Sequence, residues 1–226
     1  MTTPGIMVVC DGSNGAGKTT LIHRLKEHLE RQGHKVLVTR EPGGTPISEQ
    51  IREILLNPQT TEMCDRTELL LFGAARAQHL REKILPALEA GVIVLCDRFD
   101  SATLAFQHYA RGIEKSLVDS VNHVALGDFR PDLYLILDLD PEIGLQRVKG
   151  RGDALDRLEK ERLVFLERAR AGFLEQARQD PKRFVVLDAR VDPERIAQRA
   201  GALVDALLAS RKSNEGVGLQ PGAHHG

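Results

Sequence analysis

The sequence predicts an α/β fold, a five-stranded parallel sheet with helices on both faces. Three observations carry that expectation. Apolar, β-rich segments alternate along the 226 residues with segments of helical periodicity. Each apolar segment is a continuous run and not an apolar–polar alternation, the pattern of strands covered on both sides. The first strand also runs through a glycine-rich turn straight into an amphipathic helix.

The elements follow in order. Ile6–Cys10 is the first strand. After it Leu21, Ile22, Leu25 and Leu29 fall at helical spacing, and Gly33 stands where the helix should stop. The second strand is 35–40, and Ser48 is the expected N-cap of a short helix after it. Residues 66–90 read as helical, with an interruption near Pro86. A third strand (91–99) precedes helices at about 100–109 and 114–126. The fourth strand is 131–140, followed by helices at 141–149 and 155–179 with a charged break between them. Strand five (184–190) and a helix over 193–211 complete a single domain, 1–211, and the tail 212–226 is expected to be disordered, His224 and His225 included.

Composition excludes several classes. Charge is balanced, 31 Lys and Arg against 32 Asp and Glu, so there is no general attraction to nucleic acid or an anionic membrane. Apolar runs fall short of a membrane span, and the N-terminus lacks a signal-peptide pattern. Cys10, Cys64 and Cys96 are too scattered for a disulfide framework or a zinc site. A cytoplasmic protein is expected.

Residues 12–19, GSNGAGKT, match G-x-x-x-x-G-K-S/T. Glycines let the backbone curl so that successive N–H groups face phosphate oxygens. Gly12, Ser13, Asn14, Gly15, Ala16, Gly17, Lys18, Thr19 and Thr20 are therefore the candidate phosphate-binding residues. Lys18 brings positive charge to the outer phosphates, Thr19 offers a hydroxyl to Mg2+, and the following helix adds its dipole. A base-reading N-K-x-D element is absent, which excludes a guanine-nucleotide switch, and the length leaves little room for a motor or transport ATPase. Arg40 and Arg98 follow strands two and three at the edge where open parallel sheets bind ligands. Asp97 is positioned either to support Mg2+ or to pin Arg98. Arg147, Arg151 and Arg157 surround the break between helices, where a lid (about 147–158) would fold over phosphates. A positioned arginine contributes ~10³–10⁵ in phosphoryl-transfer rate.

Six ordered segments, GSNGAGKTT (12–20), TREPGGT (39–45), LLFGAARAQH (70–79), DRFDSATLAFQ (97–107), GDFRPD (127–132) and RGDALDRLE (151–159), resemble the bacterial-type thymidylate kinases over about residues 5–208. The resemblance implies a three-layer P-loop kinase fold with strand order 2-3-1-4-5 and a short lid. It implies transfer of phosphate from ATP to dTMP with Mg2+, and a homodimer packed through helices. It further implies that Phe72 stacks on thymine, Arg76 reaches a base carbonyl, Thr103 and Gln107 bond the base edge, and Phe106 lies against the deoxyribose. Arg52 and Arg98 would hold the acceptor phosphate, and Arg151, supported by Arg147, would be the lid arginine nearest the transferred group.

Three positions depart from the family pattern. Asn14 stands where the family usually has Asp or Glu against the sugar 3′-hydroxyl, Ala102 where it often has Ser, and Gly73 where a larger residue is common. Ala102 and Gly73 are expected to widen the base pocket. These departures favour a relaxed deoxynucleoside monophosphate kinase as the alternative. A catalytically silent ATP-binding module would not need both acceptor and lid arginines, and a nucleoside kinase would leave the two acceptor-phosphate arginines without a purpose.

Overall fold

A computed structural model of the chain describes residues 4–150, 157–158 and 161–217, with side chains described through Arg211. Its order is β1 (Met7–Gly12), α1 (Lys18–Arg31), β2 (Val36–Arg40), α2 (Pro46–Leu56), α3 (Asp65–His79), α4 (Leu85–Glu89), β3 (Ile93–Asp97), α5 (Asp100–Thr103), α6 (Lys115–Leu126), β4 (Leu133–Asp138), α7 (Pro141–Lys149), α8 (Leu163–Gln179), β5 (Phe184–Asp188) and α9 (Pro193–Val217). Two wider π-helical stretches, Leu80–Ile84 and Leu104–Ala110, continue α3 and α5. The strands form one parallel sheet in the order β2-β3-β1-β4-β5.

The continuous apolar runs are explained by two cores, one on each face. Val8 and Cys10 meet Leu21, Leu25 and Leu29 of α1 and Ala200 and Val204 of α9. On the other face Met7, Val9 and Cys96 meet Ile84, Phe99, Ala105 and Phe173. Cys10 and Cys96, on adjacent strands, thus face opposite layers, and burial pushes both thiols up from their ordinary range. They serve as small apolar groups.

Four local expectations are corrected. The cap of α2 is Thr45, whose Oγ1 accepts from the Ser48 N–H, with Pro46 opening the helix; the Ser48 hydroxyl instead donates to the Ala75 carbonyl at 2.9 Å, tying α2 to α3. Pro86 does not break the chain's helical course, because it sits in the first turn of α4, after the π-helical stretch. The helix expected from 155 starts at Leu163; 157–158 form a turn, and the Arg157 N–H donates to the Leu56 carbonyl at 3.2 Å. At the other end α9 runs on to Val217, beyond the expected boundary of the tail; 218–226 lie outside the described residues. Among the described residues no helix is long and apolar enough to cross a membrane.

One packing contact sets the position of the glycine-rich loop. A Cβ added to Gly144 of α7 would lie 2.2 Å from the Asn14 carbonyl oxygen, and one added to Gly15 would lie 2.3 Å from the Gly144 carbonyl oxygen. The two backbones approach closely enough that both positions require glycine. We predict that Gly144→Ala lowers stability by about 1–3 kcal/mol through overpacking. Thermal unfolding beside the wild type checks this, and an unchanged midpoint would refute the contact.

Candidate active site

Parallel pairing sets Cys10 beside Asp97, so the chain leaves β1 and β3 side by side at the carboxyl edge of the sheet. After β1, glycines at φ 122°, 73° and 95° (Gly12, Gly15 and Gly17) curl the backbone into the loop. Ala16 packs into the core, so only its backbone faces the loop, and the Ser13 hydroxyl donates to the Leu139 carbonyl at 3.1 Å. Lys18 opens α1, and its ammonium folds back to donate to the Ser13 carbonyl at 3.0 Å. Burial, then the neighbouring Arg98 charge, push that ammonium down to about 8. Asn14, Gly15, Gly17, Lys18, Thr19 and Thr20 line a single open cavity above the sheet edge.

Arg98 lines the same cavity, against the loop. Its φ of 69° makes it the only non-glycine in the left-handed region among the described residues. Its N–H donates to the Cys10 carbonyl at 3.0 Å. One guanidinium nitrogen donates to Asp11 at 2.8 Å and to the Gly12 carbonyl at 3.0 Å, and the other donates to Asn14 Oδ1. The guanidinium lies over the Phe106 ring, 5.1 Å from its centroid. Arg98 is therefore pinned by Asp11 and Asn14; the expectation that Asp97 pins it is not met. Asp97 lines the cavity on the Lys18 side, where its charge raises the affinity of that amine for its proton.

The same cavity is also lined by Arg52, Phe72, Arg76, Ala102, Thr103, Phe106 and Gln107. Arg76 is buried and its fork is divided three ways: Nε to Glu41 at 2.8 Å, Nη1 to Asn122 at 2.7 Å, and Nη2 to the Phe99 carbonyl at 3.1 Å. Gln107, equally buried, donates to Glu68 at 2.8 Å. Arg52 donates to the Pro42 carbonyl at 2.7 Å, just past a cis Glu41–Pro42 peptide. Thr103 Oγ1 is buried without a hydrogen-bond partner, an unsatisfied donor and acceptor on the wall of an otherwise well-paired site. A half-buried aromatic, two oriented polar side chains and a free hydroxyl make a surface suited to a flat, polar-edged ring.

One further sequence-predicted arginine lies beside the loop. Arg147 belongs to α7, and its Nη1 donates to the Gly15 and Ala189 carbonyls, both at 3.4 Å, between the loop and the end of β5. Arg151 lies outside the described residues, as does the middle of the expected lid, 151–156.

Comparison with known proteins identifies the family. The family model for thymidylate kinase matches residues 10–200. The chain is 48% identical to the thymidylate kinase of Syntrophotalea carbinolica over 194 residues, covering 84% of this chain and 90% of that one. It is 46% identical to that of Desulfosudis oleivorans over 208 residues, covering 89% and 96%. The chain belongs to the thymidylate kinase family. The crystal structure of the Ehrlichia chaffeensis thymidylate kinase superposes with a TM-score of 0.72 at 32% identity, covering 89% of this chain and 99% of that one.

Set within the thymidylate kinase fold, Gly73 does not widen the cavity. A Cβ there would meet Val121 Cγ1 of α6 at 2.5 Å, so its small size lets α3 and α6 pack, whereas Ala102 does line the cavity. Sequence reasoning missed the acidic groups that hold the site's cations: Asp11, Glu41 and Glu68, all buried. Asp11 had a signal, being a charged residue inside an otherwise apolar strand. Glu68 had none, because an acid in a helix's first turn reads as a dipole partner.

The lowered Lys18 proton affinity has a checkable consequence. Below about pH 8 the free amine is charged, and above it the proton is lost. A bound triphosphate restores the charge, so binding above that pH takes up a proton, and affinity falls by up to about tenfold per pH unit there. Calorimetric titration of a nucleoside triphosphate across this range reads the slope. Lys18→Met is expected to flatten it; an identical slope in the variant would refute the assignment.

Proposed function

We propose that this chain transfers the γ-phosphoryl group of ATP to the phosphate of dTMP, giving dTDP for dTTP synthesis. The observation that carries the reading is one cavity lined both by the Lys18 loop with Arg98 and by Phe72, Arg76, Thr103 and Gln107. An acceptor held between them presents its phosphate to the donor's outer phosphate. A phosphate oxygen of dTMP forms the new bond to the γ-phosphorus as the bond to the β–γ bridging oxygen breaks, in line and without a covalent enzyme intermediate. Lys18 neutralises the donor oxygens, while Arg98 and Arg52 align the acceptor phosphate.

Phe72 offers a stacking face, Arg76 a donor for a base carbonyl, and Thr103 and Gln107 the base-edge bonds. Phe106 lies where the sugar would pass. Arg147, near the loop and the end of β5, supports the donor side, and Arg151 is the proposed lid arginine. Thr19 and Asp97 supply hard oxygen donors on the wall of the same cavity, and they are the residues that would hold Mg2+. Among the described residues no cluster of His, Cys, Asp or Glu forms a metal cage, which fits a cation carried mainly by phosphates and water. When bound, the ion adds charge neutralisation at the transferring phosphate.

The chain is proposed to act as a cytoplasmic homodimer. Leu70 of α3 and Leu117 and Val124 of α6 are exposed apolar residues on two helices packed against each other, Val124 being 86% exposed. They form a face suited to a second copy.

Initial rates of diphosphate formation with ATP and Mg2+, comparing dTMP, dUMP, dCMP, dGMP, UMP and thymidine, test the reading. A strong preference for dTMP is expected. Similar rates across monophosphates would establish the relaxed kinase, and ATP binding without transfer would establish a silent module. A second prediction concerns Asn14, whose amide replaces a charge-assisted bond of about 1.5–3 kcal/mol to the sugar 3′-hydroxyl with a neutral one of about 0.5–1.5 kcal/mol. Asn14→Asp should therefore raise the preference for dTMP over its 3′-deoxy analogue by about fivefold. An unchanged ratio would remove Asn14 from sugar recognition.

A further inference from the structure

Glu68 lies one layer behind the base end of the cavity and is 1% exposed. Its carboxylate accepts from Gln107 Nε2 at 2.8 Å and from Arg111 Nε and Nη2 at 2.9 and 3.0 Å, and it also pairs with Arg157. The two arginines are held in turn: Arg157 donates to the Leu55 carbonyl, while Arg111 pairs with Glu161 at 2.7 Å and covers the Phe165 ring. Burial alone would push the Glu68 carboxyl up, yet the bonds from Arg111, Gln107 and Arg157 hold it below its ordinary range. Glu68 is thus an ionised group that only accepts.

That fact fixes the neighbouring amide. A glutamine amide has two ends of similar shape and opposite hydrogen-bonding character, and left alone it can present either. Against an ionised carboxylate it must turn its NH2 end, which leaves its carbonyl oxygen as the acceptor on a side chain that lines the cavity.

We infer that Glu68 is a positioning residue that sets the orientation of the Gln107 amide and thereby selects a base edge carrying a ring N–H. This rests on the proposed dTMP acceptor. Thymine presents a ring N–H between two carbonyls, which the Gln107 oxygen accepts. A 4-amino pyrimidine presents a bare ring nitrogen there, and two acceptors face each other without a proton. Glu68 reaches the base only through Gln107, and Arg111 and Arg157 hold its charge.

The test compares kcat/KM for dTMP and dCMP in the full chain. Glu68→Gln replaces an obligate acceptor with an amide that can turn either way. It should lower the dTMP-to-dCMP ratio by about tenfold or more, because a buried site stops rejecting the wrong edge. Glu68→Asp keeps the charge that the arginines need while withdrawing the oxygens by one methylene, and it should shift the ratio in the same direction if the first variant does not fold. In a Gln107→Ala background neither change should move the ratio further. Equal losses for both acceptors, an unchanged ratio in a folded variant, or an equal shift in the Gln107→Ala background would each overturn the inference. A wild type that phosphorylates neither acceptor overturns the functional reading and this inference with it. A dTMP-selective wild type whose selectivity survives both Glu68 variants overturns this inference alone.

Discussion

The site depends first on the pairing of Arg98 with the buried Asp11. Arg98 occupies a left-handed backbone conformation that costs a non-glycine residue about 1–2 kcal/mol. It persists because the surroundings over-determine it: the parallel register brings the ends of β1 and β3 together, and the Arg98 N–H closes onto Cys10 while its side chain closes onto Asp11. Burial pushes the Asp11 carboxyl up, and Arg98, Lys18, the Ser101 hydroxyl and the Gly12 N–H all act against that rise. Two turns leaving neighbouring strands are thereby joined through one carboxylate. The phosphate loop and the helix carrying Thr103, Phe106 and Gln107 are positioned from the same point.

A second pattern repeats the first. Three of the polar groups proposed to read the acceptor are backed by a buried carboxylate: Arg98 by Asp11, Arg76 by Glu41, and Gln107 by Glu68. Glu41 also bonds His79, whose other nitrogen meets Thr39 at 2.7 Å, so that bracket reaches into β2. Buried ion pairs are a weak source of stability, because desolvation offsets most of the attraction. Their contribution here is directional. They hold long side chains in single orientations before a ligand arrives, which lowers the ordering cost of binding.

Much of this was legible in the sequence, for physical reasons that can be named. The five strands are continuous apolar runs because helices cover both faces, and GSNGAGKT is readable because curling a backbone around phosphates demands glycine at fixed places. The side of a helix that a residue faces was less legible. Gly73 has a neighbour in sequence, Phe72, that lines the cavity, yet it points at Val121, since adjacent helical residues diverge by about 100°. Ser48 resembled a cap but is consumed by a tertiary bond to Ala75, and Arg157, expected within a helix, lies in a turn and bonds Leu56. Such contacts span tens of residues and leave no local periodicity. Glu41 and Glu68 were invisible as partners for the same reason.

The neutral residue at position 14 follows from the charge already assigned to Arg98. Asp11 gives that guanidinium one full negative partner, and Asn14 adds a carbonyl oxygen to the other nitrogen without adding charge. A carboxylate at 14 would give Arg98 two anionic partners, leaving less positive potential for an acceptor phosphate and placing negative charge next to it. The amide keeps the geometric restraint on Arg98 and lets its charge face the cavity. Because the Asn14 backbone is also pressed against Gly144, the loop cannot shift to change that distance. A substitution at 14 is therefore felt through Arg98 and the proposed sugar contact, and not through the shape of the loop.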